Sequence, residues 1–187
     1  KDYSQAEAHF LVGTQESAEA LGLVLFEWSE LQPKHDKGAY LLRGILQELS
    51  MSNLRDANVV YRTFVERLPP IYLSSEQKIP TKGSKTVQTF KSPLLNLTQL
   101  LLLACETGNP AMFKLLQGKY KAALSIDENF APLMTTIGEI FFGIQLPKQA
   151  NMLADLMSSL FSGPPAPSSR PTLGGTQTQQ PAIEEMD

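Results

Sequence analysis

Few side chains in this sequence could take part in catalysis or metal binding. The two histidines, His9 and His35, lie in different predicted elements and have no His, Cys or Asp at metal-ligand spacing, so we predict no zinc or iron site. The glycines between residues 13 and 44 are isolated, and none precedes the Lys-Ser or Lys-Thr pair of a phosphate-binding loop. No Gly-x-Ser-x-Gly setting presents a nucleophile. We therefore predict a protein that is not an enzyme and uses no cofactor; a hydrolase with an unrecognised site is the alternative.

Charge, hydropathy and the single cysteine narrow the class further. The 16 Lys and Arg residues are outnumbered by 19 Asp and Glu, which argues against nucleic-acid binding. The apolar run from Leu94 to Cys105 is interrupted by Asn96, Thr98 and Gln99 and is shorter than the roughly 20 residues that a membrane span needs. The sequence lacks a signal-peptide pattern and begins at Lys1 rather than Met, so we expect a fragment. Cys105 lies within the apolar run, which predicts a small buried side chain and a reducing compartment.

One long segment, residues 69–93 (the insertion), interrupts the helical pattern. Strand-favouring residues, Ile71 to Leu73 and Thr86 to Phe90, flank the turn-forming Thr81 to Ser84. A loop of this length usually belongs to a functional arm or to a disordered segment. We predict a β-hairpin arm, with a solvated surface loop as the alternative.

The insertion carries the one local charge signal in the sequence. Its four lysines (Lys78, Lys82, Lys85 and Lys91) face a single acid, Glu76. Such lysines can protect a strand edge from unwanted pairing. Alternatively, they steer an acidic partner segment towards the arm.

The remainder of the chain up to residue 161 shows the spacing of amphipathic helices. Apolar residues recur at i, i+3, i+4 and i+7, and the spacing of Ala57, Tyr61 and Phe64 is close to the second helix of a tetratricopeptide unit. We therefore predict an all-α, right-handed solenoid of antiparallel helical hairpins. Trp28 falls on an apolar stripe and is interpreted as core rather than as a ligand platform. The predicted helices are about 3–12, 17–31, 36–50, 53–68, 92–108, 109–120 and 132–144, with a last amphipathic helix from Pro147.

Helix boundaries are indicated by capping residues. Ser17, Asn53 and Ser92 are predicted N-caps, and proline follows Ser92 at the first helical position. The helix that begins at Ser92 is apolar nearly all round, which predicts that it is central. From residue 162 the sequence is rich in Pro, Ser, Gly, Thr and Gln, so we predict a disordered tail over 162–187 after a solenoid over 1–161.

The region from Arg43 to Phe161 is similar to the C-terminal half of the Get-four family. That family is the cytosolic helical-repeat adaptor of the guided-entry pathway for tail-anchored membrane proteins. The resemblance is carried, in order, by the run Ser92 to Asn96, the core Leu101 to Ala104, Phe113 with Tyr120, Leu124 and Asp127, and Ile137-Gly138 followed by Phe141-Phe142-Gly143.

The resemblance implies a bridging function. In that family the C-terminal half holds a ubiquitin-like co-chaperone or, in animals, a large Bag-type scaffold, while the N-terminal half contacts the targeting ATPase. Most of that N-terminal half is outside this sequence, so ATPase binding is not assigned to it. The alternative is a helical-repeat structural subunit of an unrelated complex.

The predicted docking residues belong to the insertion and to the helix that follows it. A partner helix can place apolar anchors in a groove of a solenoid. The residues in question are Ile71, Tyr72, Lys82, Lys85, Val87, Phe90, Leu94, Leu95 and Leu97. Each apolar one has a competing assignment to the core, and for the three leucines the core is preferred.

Overall fold

The computed structural model describes residues 2–13, 15–74, 79–80 and 86–144. All of its described elements belong to the unit Lys1–Pro147. The predicted helix from Pro147 and the predicted tail over 162–187 lie outside the described residues, as do Lys78, Lys82 and Lys85.

The described residues are mostly helical, which confirms the predicted class. Two short strands pair antiparallel within the insertion, with Ile79 opposite Val87 and Pro80 opposite Thr86, and a 3₁₀ turn covers Pro70–Tyr72. In chain order the elements are α1 Tyr3–Leu11, α2 Gln15–Leu31, α3 Lys37–Ser50, α4 Leu54–Val65, β1 Ile79–Pro80, β2 Thr86–Val87, α5 Pro93–Thr107, α6 Pro110–Lys119, α7 Lys121–Leu124 and α8 Phe130–Phe142.

Side-chain caps explain where several helices begin. The Asn53 side chain accepts a hydrogen bond from the Asp56 backbone N–H (3.3 Å), and the Ser92 hydroxyl accepts one from Leu95 N–H (3.3 Å). These bonds satisfy N–H groups that a helix leaves without partners in its first turn. The prediction for Ser17 was wrong, because α2 begins earlier, at Gln15.

Helix α5 lies at the centre of the packing, as its apolar circumference predicts. It packs against α3, α4 and α6, and Leu95, Leu97 and Leu101 have no exposed surface. Helix α3 is the other hub, because it packs against α2, α4, α5 and α8. The start of α5, directly after the insertion, is therefore held by neighbours on several sides.

Helix α8 differs from its prediction in two details. It begins at Phe130 rather than near Pro132, because proline is tolerated in the first turn of a helix. Its buried face consists of Phe130, Met134, Ile137 and Gly138. The i, i+3 spacing predicts that Ile140 joins this face, but Ile140 is exposed.

Candidate partner-docking site

The base of the insertion is tied to itself by backbone hydrogen bonds. The Lys91 N–H donates to the Tyr72 carbonyl (3.0 Å), and the Ser74 N–H donates to the Thr89 carbonyl (3.0 Å). Between them, Leu73 and Phe90 form an antiparallel bridge. The two ends of the insertion therefore leave the helical body side by side.

Two neighbouring residues in the 3₁₀ turn have different exposure. Ile71 is 70% exposed. Tyr72 is half-buried, and the ammonium group of the buried Lys37 lies 5.8 Å from its ring centroid. Lys37 also lies over the Phe26 ring (5.4 Å) and pairs with Glu30. Because Lys37 is the first residue of α3, this cation–π contact fixes the turn against the helical body.

The structure separates the predicted docking residues into two groups. Ile71 is exposed, and Tyr72 and Val87 are half-buried, so these three have surface that a partner can contact. Phe90, Leu94, Leu95 and Leu97 are at most 4% exposed and belong to the core. Docking through these four side chains is therefore not supported, because they already pack inside the protein. Lys82 and Lys85 are outside the described residues.

A concave surface lies elsewhere on the N-terminal half of α3. Trp28 is half-buried rather than fully in the core; its ring stacks on Tyr3 (6.0 Å between centroids) and packs against Tyr40 (5.4 Å). The guanidinium of Arg43 lies 5.7 Å from the Trp28 ring centroid. Its Nε donates to both carboxylate oxygens of Glu7, at 2.9 and 3.0 Å. Trp28, Tyr40 and Arg43 line a cavity of about 270 Å³. Their ring and charge contacts are made with one another and with Tyr3 and Glu7.

Burial limits the chemistry of the single cysteine. Cys105 is a buried free thiol, and burial, together with the neighbouring Glu106 charge, raises its pKa to about 12, so it stays a protonated thiol at neutral pH. Among the residues that the structure describes, no group of three or more His, Cys, Asp or Glu side chains could hold a metal ion. Within the same residues, no helix has both the length and the apolar character needed to span a membrane.

Three residues that the sequence analysis did not assign to the site hold the insertion in place. Lys37 contacts Tyr72 as described above, and the side-chain amides of Asn96 and Gln99 hydrogen-bond the backbone of residues 88 and 90. The available signal was the spacing of Asn96 and Gln99: two amides one helical turn apart on an otherwise apolar helix.

The fold and this surface define a class of protein. The described helices form a packed helical body, and the insertion exposes an apolar side chain, Ile71, from a turn that is fixed to that body. This arrangement is typical of helical scaffold proteins that present surfaces to other proteins.

The chain belongs to the Golgi to ER traffic protein 4 family, whose model matches residues 1–161. The resemblance inferred from the sequence is therefore confirmed. The chain is 34% identical to Golgi to ER traffic protein 4 of Aspergillus fumigatus, over 97% of this chain and 55% of that protein. It is 30% identical to the Oryzias latipes homolog, over 86% of this chain and 46% of the homolog.

A solved structure agrees with the sequence relatives. The crystal structure of C. therm. Get4 matches with a TM-score of 0.68 and 35% identity, over 92% of this chain and 55% of that chain. The chain thus spans about half the length of the relatives it matches.

Proposed function

We propose that this chain is the docking half of a cytosolic adaptor that helps to deliver tail-anchored membrane proteins to the endoplasmic reticulum. It binds a ubiquitin-like co-chaperone or a Bag-type scaffold, and the targeting ATPase is bound by a different half of the adaptor. Family membership over residues 1–161 supports the pathway, and the names of the relatives refer to traffic between Golgi and ER. The observation that carries the docking function is the exposed Ile71 on an anchored turn.

The proposed architecture follows the sequence analysis. The proposed right-handed solenoid of helical hairpins spans residues 1–161, with an inserted hairpin arm at residues 69–93; the predicted tail over 162–187 lies outside the described residues. Apart from the insertion between α4 and α5, the short connections between successive described helices support the hairpins, and the pairing of β1 with β2 supports the arm.

The proposed docking surface consists of Ile71, Tyr72 and Val87, with Lys82 and Lys85 steering the partner. Tyr72 and Ile71 belong to the anchored turn, and Val87 belongs to β2. An apolar helix of the partner covers Ile71 and the accessible part of the other two side chains. The four buried residues support this surface without contacting the partner, because they form the packed base of the insertion: Phe90, Leu94, Leu95 and Leu97.

Replacing Ile71 by serine is expected to weaken partner binding about tenfold or more with little effect on stability. Burying an isoleucine side chain in an interface contributes roughly 1.5–3 kcal/mol, whereas exposed substitutions usually change stability by about 0.5 kcal/mol or less. Binding of the purified co-chaperone or scaffold segment is measured by calorimetry, and stability by urea unfolding.

Leu115→Ser is the matched control, because Leu115 is 66% exposed on α6, outside the insertion. The affinity of the Leu115→Ser variant for the co-chaperone or scaffold segment is expected to equal that of the unmodified chain. Equal losses from both substitutions would contradict the placement of the site.

A pull-down from cytosol tests the adaptor function itself. Loss of the co-chaperone or scaffold on deleting residues 70–91 supports that function, and recovery of an unrelated complex by both the intact and the deleted chain refutes it.

A further inference from the structure

The insertion leaves the helical body through residues 72–74 (the outgoing limb) and returns through residues 88–90 (the returning limb). One edge of the returning limb is hydrogen-bonded to the outgoing limb. On this edge, the Thr89 carbonyl accepts from Ser74 N–H, and Lys91 N–H donates to the Tyr72 carbonyl. In an extended segment, successive residues direct their backbone N–H and C=O groups to opposite edges. The backbone groups of Gln88 and Phe90 therefore face the other way, towards α5.

Two side-chain amides on α5 fill that second edge. Asn96 Oδ1 accepts from Phe90 N–H (2.8 Å), and Asn96 Nδ2 donates to the Phe90 carbonyl (2.8 Å). The hydrogen-bond network orients the Gln99 amide in the same way: Nε2 donates to the Gln88 carbonyl (2.7 Å), and Oε1 accepts from Gln88 N–H (3.0 Å). Each amide thus pairs with both backbone groups of one residue, as a neighbouring strand would.

The spacing of the two amides suits this purpose. Residues three apart on a helix lie on the same face, separated by about 4.5 Å along the axis, and residues two apart on an extended segment are separated by roughly 6.6 Å. Because the backbone residues are spaced further apart than the amides, the longer side chain of Gln99 is needed to reach Gln88. The buried residues of α5 are apolar apart from Thr98, so the two amides mark the face that meets the insertion.

We infer that Asn96 and Gln99 are positioning residues, which hold residues 88–90 with both edges occupied, so that a partner meets this segment through outward side chains and not by adding a strand to it. An unpaired strand edge is a template for strand addition, and here its hydrogen-bonding groups are already used. The occupant that fits is a helical segment, whose own backbone groups are satisfied and whose apolar face covers Ile71. This inference rests on the proposed function for the identity of the partner.

Positioning also has an energetic consequence. A loop that is ordered before binding does not lose conformational freedom on binding, so its affinity is higher than that of the same loop when mobile. If the held conformation becomes a minor fraction of the population, the apparent Kd rises in inverse proportion to that fraction.

The test compares Asn96→Leu, Gln99→Leu and the double variant with the control Asn58→Leu, which removes a side-chain bond within α4. Hydrogen exchange is measured at the Gln88 and Phe90 amides, and affinity for the purified co-chaperone or scaffold segment is measured in parallel. We expect at least tenfold faster exchange at these two amides in the double variant, about tenfold weaker binding, and no change at either readout in the control. Gln99→Glu keeps an acceptor for Gln88 N–H but loses the donor, so its binding is expected to lie between those of the unmodified chain and Gln99→Leu.

The outcomes separate the inference from the proposed function. If the unmodified chain binds neither co-chaperone nor scaffold, the proposed function fails, and the exchange rates alone decide whether the amides hold the segment. Unchanged exchange in the double variant overturns the inference, and so does faster exchange with unchanged affinity. If the double variant does not fold, Gln99→Leu provides the same comparison, because Gln99 is only half-buried.

Discussion

Replacing Gly38 by alanine is expected to lower the free energy of unfolding by about 1–3 kcal/mol, the range typical of steric conflict in a packed core. A Cβ atom at this position would lie 2.7 Å from Ser92 Oγ, 2.8 Å from Leu94 Cβ and 2.9 Å from the backbone nitrogen of Leu95. Because one of these atoms is backbone, the conflict cannot be relieved by a side-chain rotation. The first turns of α3 and α5 would have to move apart.

A polar contact at the same junction adds to the cost. Asp36 caps α3 by accepting from Gly38 N–H (2.8 Å), and its other carboxylate oxygen accepts from the Ser92 hydroxyl (2.7 Å). The residue that caps α3 is thus bonded to the residue that caps α5. Separation of the two helices would lengthen this bond and disturb both caps, each of which contributes about 1 kcal/mol.

Gly118→Ala is the matched control for this substitution. Gly118 lies in α6, and a Cβ there would have no atom within 4 Å, so alanine is expected to stabilise the chain by about 0.5–1 kcal/mol through its helix propensity. Urea unfolding of both variants gives the two free energies. A stability change of the same sign in the two variants would contradict the close approach of α3 and α5.

Replacing Glu48 by glutamine is expected to stabilise the protein at alkaline pH by about 2 kcal/mol. Glu48 is 1% exposed near the end of α3, and its Oε2 has no hydrogen-bond partner among the described residues. Burial raises its pKa from 4.5 to about 7, and the charge of Asp56 contributes to the increase. A shift of this size corresponds to on the order of 3 kcal/mol of cost for the ionised form, part of which is offset by the burial of the new amide.

The environment of the neighbouring acid, Asp56, favours its charged form. Asp56 accepts hydrogen bonds from Arg55 Nε (2.8 Å) and Asn53 Nδ2 (2.7 Å), and the Arg55 bond is the main reason why the pKa of Asp56 is lowered. Asp56 therefore keeps its charge across the neutral range and remains beside Glu48 as a fixed negative group. The two carboxylates differ because the hydrogen bond from the Arg55 guanidinium dominates at Asp56, whereas burial dominates at Glu48.

The direction of the pH dependence follows from the raised pKa of Glu48. The folded state retains the proton between the pKa of the unfolded chain, near 4.5, and about 7, so it binds more protons than the unfolded state in that interval. Stability contributed by this group is therefore present below pH 4.5, falls between pH 4.5 and 7, and stays low at higher pH. Glutamine does not titrate, so the variant loses this dependence.

Urea unfolding at pH 5, 6, 7 and 8.5 tests this prediction. The difference between Glu48→Gln and the unmodified chain should be small at pH 5 and should grow to about 2 kcal/mol at pH 8.5. Glu139→Gln, at an exposed position of α8, should follow the unmodified chain at every pH. A constant difference across the series would show that Glu48 is not the titrating group.

Local signals were sufficient to locate most of the helices. The caps at Asn53 and Ser92 are where the sequence analysis placed them, because capping depends on a few neighbouring residues. The predicted boundary between 92–108 and 109–120 is confirmed by Gly108, whose φ is 57°, and by the cap at Asn109. The order of motifs after Ser92 was also sufficient for the family, which the match over residues 1–161 confirms.

The candidate site was less predictable, because it depends on which side chains remain exposed after packing. Ile71 and Phe90 are both large apolar residues of the insertion, yet the first is 70% exposed and the second 4%. Nothing local distinguishes them: Phe90 is buried because Leu73 pairs with it and α5 lies beside it.

By itself, then, the sequence determined the helical class, most helix boundaries, the family and the position of the insertion, since these depend on periodicity, caps and motif order within short stretches of chain. Only the tertiary structure decided that the amides of Asn96 and Gln99 complete a strand edge, that Lys37 holds Tyr72, and that Glu48 lies buried beside Asp56. The physical reason is that the first set of features arises from interactions along the chain. The second arises from burial and from hydrogen bonds between elements that meet only when the helices pack.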